Sequence, residues 1–421
     1  MDDSIINFNL PTDKTKNIIK VIGVGGGGGN AVRNMYKQGI KDVSFAICNT
    51  DSQALWKSEI PVKIQLGKTG LGAGGNPERA KIAAQENTDD IKQLFNDETK
   101  MVFITAGMGG GTGTGAAPII AKLAKEMGLL TIGIVTIPFY FEKRPQIIKA
   151  LEGVSEMRKN VDSLLIINNE RLRDIYTDGI TTAKDAFSKA DDILTTATKG
   201  IAEIITIVGT ISCDFCDVET IMKNGGNALM AIGKASGEKR LQKAIINALH
   251  SPLLSNSNIE NAKKILFIIY TSEEHSLLIE EFDELDAFME ELNPDIEVIW
   301  GLYDDNSLDT DVKITIIATG FEAEERISSV PEENKDQKYG DMIDRLYGKR
   351  KKPVSLRTNE PSIQAPMEET EEPEEPKKSD EPSKPIDSPA YTPTPSSTKP
   401  SLAERLLQRF GNIIDEMTKD E

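Results

Sequence analysis

The chain has 421 residues, of which 38% are hydrophobic, and its 49 basic and 67 acidic side chains give a net charge of -18. No apolar run approaches the roughly 18 residues of a membrane span, so we expect no direct membrane insertion, and the acidity disfavours nucleic acid as a partner. Three cysteines cannot form a disulfide framework, and the acidic start lacks the basic region of a signal peptide. A cytoplasmic location is expected.

The first half of the chain has the pattern of an α/β fold. Residues 1–17 are predicted to be a flexible N-terminus. Short β-branched runs then alternate with helical stretches through residues 18–180, which is typical of a parallel, Rossmann-like sheet. The predicted strands are 18–24, 43–48, 101–106, 129–137 and 163–168.

A long helix and a second domain follow. Apolar side chains recur at spacings of three and four from Phe187 to Val208, which predicts a central core helix over residues 181–208. Further β-branched runs at 264–270, 297–303 and 312–320 predict a smaller α/β C-terminal domain over residues 209–321.

The last hundred residues differ in composition, since 11 of the 20 prolines lie after residue 350. We predict a disordered linker over residues 322–400, with a short helix at 342–347. Residues 401–421 carry apolar side chains at helical spacing, which favours a C-terminal docking peptide reached through the linker. A frayed tail with some helical tendency is the alternative.

Three glycine-rich loops precede predicted helices, and the first two of them follow predicted strands. GVGGGGGNAVRNM (23–35) contains G-x-G-x-x-G, which alone is a weak indication of a dinucleotide site. GMGGGTGTG (107–115) and TGLGAGGNPE (69–78) also end at helix N-termini, whose free N–H groups favour phosphate. Three such loops at one sheet edge predict a polyphosphate site, and the chain has no P-loop motif G-x-x-x-x-G-K-[ST].

These motifs resemble the FtsZ family of bacterial cell-division GTPases, within the tubulin superfamily, over residues 17–320. GGGTGTG is the superfamily signature, and NTD (49–51), PFYFE (138–142), SCDFCDV (212–218) and VKITIIATG (312–320) occur in the family's order. The resemblance implies a GTPase domain over 18–180, a GTPase-activating C-terminal domain and head-to-tail filaments of the division ring. It further implies GTP and Mg²⁺ as ligands, hydrolysis between subunits that drives filament turnover, and a membrane adaptor and division proteins bound through the tail.

The resemblance also implies roles for single residues. Asp51 would lie near Mg²⁺, Glu142 would contact ribose, and Phe187 would stack on the base. The residues that it places around the nucleotide are Gly25, Gly26, Gly27, Gly28, Gly29, Asn30, Asp51, Ala73, Gly74, Gly109, Gly110, Gly111, Thr112, Gly113, Glu142, Gln146, Asn169, Phe187 and Asp191.

Base selection and hydrolysis are assigned to aspartates. A carboxylate at Asp191 can accept hydrogen bonds from N1–H and the N2 amine of guanine, and adenine offers no such donor pair. Asp214 and Asp217 match the family's catalytic loop, which completes the nucleotide site of the next subunit and polarises the attacking water.

The chain departs from the family pattern in three places. Ser212 replaces the usual Asn of the catalytic loop, Gln146 stands at the usual arginine position, and the tail lacks D-I-P-x-F-[LI]-R. A weakly hydrolysing, nucleotide-gated scaffold is therefore an alternative. Two others are an NAD oxidoreductase, supported by the first glycine loop alone, and a redox pair or half zinc site at Cys213 and Cys216.

Overall fold

The computed structural model describes residues 17–40, 42–171, 183–251, 259–321 and 335–347, together with Leu402, Ala403, Arg405 and Leu406. For 183–189, 335–338 and 345 it describes the backbone only. The chain divides into two units, one formed by Met1–Gly348 with Ser401–Glu421 and the other by Lys349–Pro400, which lies outside the described residues. Within the described part of the chain, no helix combines the length and the apolar character needed to cross a bilayer.

In the part of the chain that the structure describes, ten strands form a single sheet. They are β1 (Ile19–Val24), β2 (Val43–Asn49), β3 (Val62–Gln65), β4 (Met101–Gly107), β5 (Leu130–Ile137), β6 (Ser163–Asn168), β7 (Gly226–Ala235), β8 (Lys264–Thr271), β9 (Glu297–Asp304) and β10 (Val312–Thr319). Their order is β3-β2-β1-β4-β5-β6-β7-β10-β8-β9. All pairs from β3 to β7 are parallel, whereas β10 is antiparallel to both β7 and β8. The predicted parallel α/β fold with a second domain is confirmed, and β3 and β7 were not predicted.

Helices cover this sheet. They are α1 (Gly25–Lys37), α2 (Ser52–Trp56), α3 (Pro77–Glu86), α4 (Thr88–Gln93), α5 (Thr112–Glu126), α6 (Arg144–Asn160), α7 (Ala183–Thr206), α8 (Phe215–Met222), α9 (Arg240–Leu249), α10 (Phe282–Glu291) and α11 (Lys335–Tyr347). The 24 residues of α7 confirm the predicted long central helix, which begins and ends two residues inside the predicted bounds 181–208.

The long helix joins the two domains through the core. Leu194 and Ile201 of α7 share one hydrophobic cluster with Val21 of β1 and Tyr303 of β9. The opposite face of the parallel sheet is covered by α5 and α6, and β1 and β5 are buried at every position. Burial on both faces explains why these strands are mostly apolar and do not alternate apolar with polar residues.

A helix lies within the segment for which composition predicted a linker. Tyr339, Ile343 and Tyr347 of α11 are buried in the cluster that contains the α5 and α6 side chains. Because these three residues recur every fourth position, they form one apolar face on the helix. This face orders α11 on the GTPase domain, although the surrounding sequence is polar and rich in proline.

The described residues of the predicted docking peptide pack on the chain's own C-terminal domain. Leu402 and Leu406 are buried in the cluster that contains Phe267 and Phe288. Arg405 forms ion pairs at 3.1 Å with Glu260 and 3.2 Å with Glu291.

Candidate active site

The three glycine-rich loops leave neighbouring strands at the same edge of the sheet. The first leads from β1 into α1, the second from β4 into α5, and the third from β3 into α3. Because β3, β2, β1 and β4 are adjacent and parallel, their carboxyl ends bring the loops together. Such an edge is where open α/β sheets bind their ligands.

Glycine is needed where the first two loops touch. A Cβ on Gly25 would lie 2.9 Å from the backbone nitrogen of Gly113, and one on Gly28 would lie 2.2 Å from the carbonyl oxygen of Thr105. By contrast, Cβ atoms on Gly26 and Gly110 would meet nothing within 4 Å. The loops are therefore tight against each other and open on their outer side, which fits a cradle for phosphate groups.

The third loop packs against the second. Gly74 has a φ of 59°, and a Cβ on Gly111 would lie 2.8 Å from the Cβ of Ala73. The side chain of Asn76 then caps α3 by accepting hydrogen bonds from the backbone N–H of Glu78 (2.9 Å) and Arg79 (3.4 Å). The structure thus brings Ala73 and Gly74 to the phosphate-type loops.

The end of β2 adds polar side chains to this edge. The hydroxyl of Thr50 lies 2.7 Å from that of Thr112. Asp51 Oδ1 caps α2 by accepting from the backbone N–H of Gln53 (2.9 Å) and Ala54 (3.4 Å). Thr50 was missed in the sequence analysis, although it lies inside the NTD motif. A fixed carboxylate beside phosphate loops suits Mg²⁺, which favours one or two carboxylates together with substrate phosphates.

The predicted ribose contacts follow β5 and β6. Glu142 closes the 3₁₀ turn Tyr140–Glu142, and its Oε1 accepts from the backbone N–H of Phe139 at 2.9 Å. Asn169 is buried, and its Oδ1 has no hydrogen-bond partner among the described residues. A buried acceptor without a donor costs about 1–3 kcal/mol, so Asn169 fits a pocket in which a ligand supplies that donor.

Two further predicted residues lie on helices at this edge. Gln146 is in the first turn of α6, and its carbonyl oxygen would lie 3.1 Å from a Cβ on Gly109. Asn30 is exposed on α1, directly after the glycines of the first loop.

The predicted base contacts lie on α7. Burial and the neighbouring charge of Asp192 raise the pKa of Asp191 to about 7, against the opposing effect of Arg33. Asn34 of α1 donates to Asp192 at 2.8 Å, which places this part of α7 beside α1. Phe187 lies on α7 one turn before Asp191, and its side chain is outside the described residues. A carboxyl group with a raised pKa in a cleft is typical of a functional site.

We expect GDP to bind more weakly as the pH falls from about 8 to about 6. Guanine donors need the ionised carboxylate, and with a pKa of about 7 the free protein holds a proton on Asp191 below neutral pH. Each pH unit below that pKa then lowers the affinity up to about tenfold. Isothermal titration calorimetry measures GDP affinity against pH for wild type and for Asp191→Asn. Protonation of the GDP phosphates affects both proteins equally, so any difference between their pH profiles reports on Asp191. Parallel pH profiles for the two proteins would contradict a role for the Asp191 carboxylate in binding guanine.

The predicted catalytic loop begins α8. Asp214 Oδ1 accepts from the backbone N–H of Asp217 at 3.0 Å, and Asp217 Oδ2 accepts from that of Asp214 at 2.8 Å. This reciprocal capping box fixes both carboxylates at the helix N-terminus. Ser212 makes a local turn, since its hydroxyl accepts from the N–H of Gly209 (2.8 Å) and donates to its carbonyl (2.9 Å).

The two cysteines of this loop have different environments. Cys213 is buried and Cys216 is exposed. Burial and the charges of Asp217 and Asp214 raise the pKa of Cys213 to about 11, with a hydrogen bond to Tyr303 opposing them. Because metal binding and thiol exchange need the thiolate, this environment disfavours the redox and zinc interpretations.

The structure separates the catalytic loop from the glycine-rich loops. Asp191, in the part of α7 beside α1, and Thr206, where α7 ends shortly before the catalytic loop, are 15 positions apart. At about 1.5 Å per residue they are about 22 Å apart along the helix axis. Asp214 and Asp217 therefore lie toward the far end of α7 from the loops, and one chain does not bring the two sets together.

A parallel sheet with three phosphate-type loops at one edge, a long central helix and a second domain defines a tubulin-type GTPase. The sequence model of the Tubulin/FtsZ family GTPase domain matches residues 18–177, and that of the FtsZ family C-terminal domain matches residues 226–322. The chain belongs to the FtsZ family.

Individual relatives agree with this assignment. The cell division protein FtsZ of Porphyromonas gingivalis is 48% identical over 368 residues, covering 82% of this chain and 80% of that protein. The FtsZ of Buchnera aphidicola subsp. Baizongia pistaciae is 45% identical over 308 residues, covering 72% and 79%. An empty FtsZ dimer of M. jannaschii has a TM-score of 0.67 at 38% identity, covering 74% of this chain and 89% of that chain.

The chain is thus a cell-division GTPase of the self-assembling, filament-forming tubulin class, and it binds GTP. These relationships favour a hydrolysing enzyme over both the nucleotide-gated scaffold and the NAD oxidoreductase.

Proposed function

We propose that this GTPase polymerises head to tail, that each subunit contact contains one complete hydrolytic site, and that hydrolysis weakens the contact and drives filament turnover. The observation that carries the proposal is the separation of the glycine-rich loops from Asp214 and Asp217 along α7. Groups that act on one phosphate must lie close together, but the two sets lie toward opposite ends of a stretch of α7 about 22 Å long. Stacking subunits along α7 brings the catalytic loop of one onto the nucleotide of the next.

Binding is assigned to one subunit. The first and second loops hold the phosphates through backbone N–H groups, and the Ala73–Gly74 loop contacts the γ-phosphate. Asn169 and Glu142 contact ribose, and Asp191 selects guanine. Asp51 is the residue that would hold Mg²⁺, and the bound ion would neutralise charge on the phosphate oxygens.

Hydrolysis is assigned to the neighbouring subunit. Its Asp214 and Asp217 carboxylates accept hydrogen bonds from the attacking water and hold it in line with the γ-phosphate, which is a positioning and electrostatic role. Their capping box fixes both groups before the subunits meet, so that little reorganisation accompanies assembly. Ser212 is engaged with Gly209, so the loop is ordered without the family's usual Asn.

The tail is proposed to connect the filament to other division proteins and to a membrane adaptor at the cytoplasmic division site. An amphipathic segment beyond a tether suits binding of a helix in a groove. Since Leu402 and Leu406 pack on the chain's own C-terminal domain, an adaptor that takes this face of the tail competes with that contact.

The concentration dependence of hydrolysis tests the proposal. We expect the rate of phosphate release from GTP, per subunit, to be near zero at low protein concentration and to rise beyond a threshold. The reason is that a lone subunit lacks the catalytic carboxylates. ATP serves as the control nucleotide. A rate per subunit that stays constant on dilution would place all catalytic groups in one chain and would overturn the proposal.

A further inference from the structure

Helix α11 lies outside both regions that match the family, 18–177 and 226–322. It follows the C-terminal domain in the chain but packs on the GTPase domain. Its buried side chains share a cluster with Ile147 and Leu151 of α6. The Tyr339 hydroxyl, at its start, donates to Glu152 of α6 at 3.3 Å.

The last turn of α11 bridges two loops of the GTPase domain. The Tyr347 hydroxyl donates to the carbonyl oxygen of Pro138 at 2.7 Å, and its ring lies 5.7 Å from that of Tyr140. Asn168, at the end of β6, donates through its side-chain amide to the carbonyl oxygen of Leu346 at 2.8 Å. The helix end therefore touches both the loop after β5 and the loop after β6.

These two loops carry Glu142 and Asn169. Within them, the backbone N–H of Tyr140 donates to Glu170 at 2.9 Å, which ties the turn after β5 to the loop after β6. Burial and the charges of Glu170 and Glu142 hold the pKa of the Tyr347 hydroxyl well above its usual range.

The turn that carries Glu142 also has a strained exit. Lys143, which follows it, has a φ of 76°, a conformation that costs a lysine energy and persists only where its surroundings impose it. Helix α11 contacts this turn at Tyr140, and Pro138, which precedes the turn in the loop, contacts Tyr347 as well.

We propose that α11 is a positioning element of the ribose pocket, with Tyr347 as its principal residue, so that nucleotide affinity depends on a segment beyond the two family domains. The inference rests on the proposed function, because Glu142 and Asn169 contact ribose only if this edge binds GTP. Tyr347 acts through the Pro138 carbonyl and the Tyr140 ring, and it holds the turn at the position where Glu142 can accept from a ribose hydroxyl.

Two matched substitutions on the same face of the helix test this role. Tyr347→Phe removes the hydroxyl that binds Pro138 and keeps the ring, and Tyr339→Phe removes the hydroxyl that binds Glu152, away from both loops. The full chain is used below its assembly threshold, and affinities for GTP, 2′-deoxy-GTP and 3′-deoxy-GTP are measured by titration. Thermal unfolding without nucleotide verifies that both variants fold.

We expect Tyr347→Phe to bind GTP about fivefold more weakly, which is the effect of one hydrogen bond, and Tyr339→Phe to stay within about twofold of wild type. One of the two deoxy analogues lacks the ribose hydroxyl that Glu142 contacts, and the ratio of the affinity for GTP to the affinity for that analogue should be smaller in Tyr347→Phe than in wild type. A general loss of stability would lower the affinities for all three nucleotides equally and leave this ratio unchanged.

Wild-type affinity in Tyr347→Phe, or an equal loss for all three nucleotides, would overturn the role of α11. A different result would contradict the proposed function. If wild type binds no GTP, the assignment of the nucleotide site is wrong. If Glu142→Gln weakens GTP binding while Tyr347→Phe does not, the site assignment holds and the inference about α11 fails.

Discussion

Asp217→Asn is expected to bind GTP and to assemble like wild type, but to hydrolyse GTP about 100-fold more slowly, which is the typical effect of removing one catalytic base or charge. The amide oxygen of Asn can still accept from the backbone N–H of Asp214, a contact that is 2.8 Å long in wild type. The helix cap is therefore kept, and the variant loses the charge that polarises water. Filaments should persist longer because their contacts are not weakened by hydrolysis.

Glu219→Gln is the matched control for this substitution. Glu219 lies on the same helix and pairs with Lys223 at 2.6 Å, so the control removes one negative charge outside the catalytic loop. Phosphate release and light scattering measure hydrolysis and filament lifetime. Loss of GTP binding by isolated Asp217→Asn subunits would place Asp217 in the subunit's own pocket and contradict the shared site.

Gly28→Ala and Gly29→Ala, at adjacent positions, are expected to change stability in opposite directions. A Cβ on Gly28 would lie 2.2 Å from the carbonyl oxygen of Thr105, so α1 must move away from β4, at a cost of about 3 kcal/mol in the free energy of unfolding. A Cβ on Gly29 would meet nothing within 4 Å, and Ala is preferred over Gly in a helix by about 0.5–1 kcal/mol.

Urea unfolding without nucleotide measures both free energies. The comparison is direct because the two variants gain the same methyl group on neighbouring residues of α1. Equal shifts in the unfolding midpoint would show that contact between α1 and β4 does not constrain Gly28.

The sequence predicted those elements whose signal is local. The first and second glycine-rich loops each lie between an apolar run and a helix start, and α7 carries its own continuous stripe of apolar side chains. Strand β3 was missed because its four residues, VKIQ, are mostly exposed and lack an apolar run. Strand β7 was missed because GNALMAIGKA is rich in glycine and alanine, and its place in the sheet comes from pairing with β6 and β10.

Features of the site that depend on distant contacts could not be predicted. The hydrogen bond from Tyr347 to Pro138 joins residues 209 positions apart, and no local pattern indicates it. The raised pKa of Asp191 arises from its burial beside α1, which depends on how α7 packs. The sequence motif predicted catalytic roles for Asp214 and Asp217, whereas their separation from the glycine-rich loops required the structure.

The most direct test of the shared site is to mix two inactive variants. Asp217→Asn keeps an intact nucleotide edge, and Gly110→Asp, which places a carboxylate at an open position of the phosphate loop, keeps an intact catalytic loop. Each alone should release phosphate at about one hundredth of the wild-type rate or less. A contact between the intact edge of one and the intact loop of the other should restore a substantial part of GTP hydrolysis. A mixture no more active than the sum of its two components would contradict the shared site.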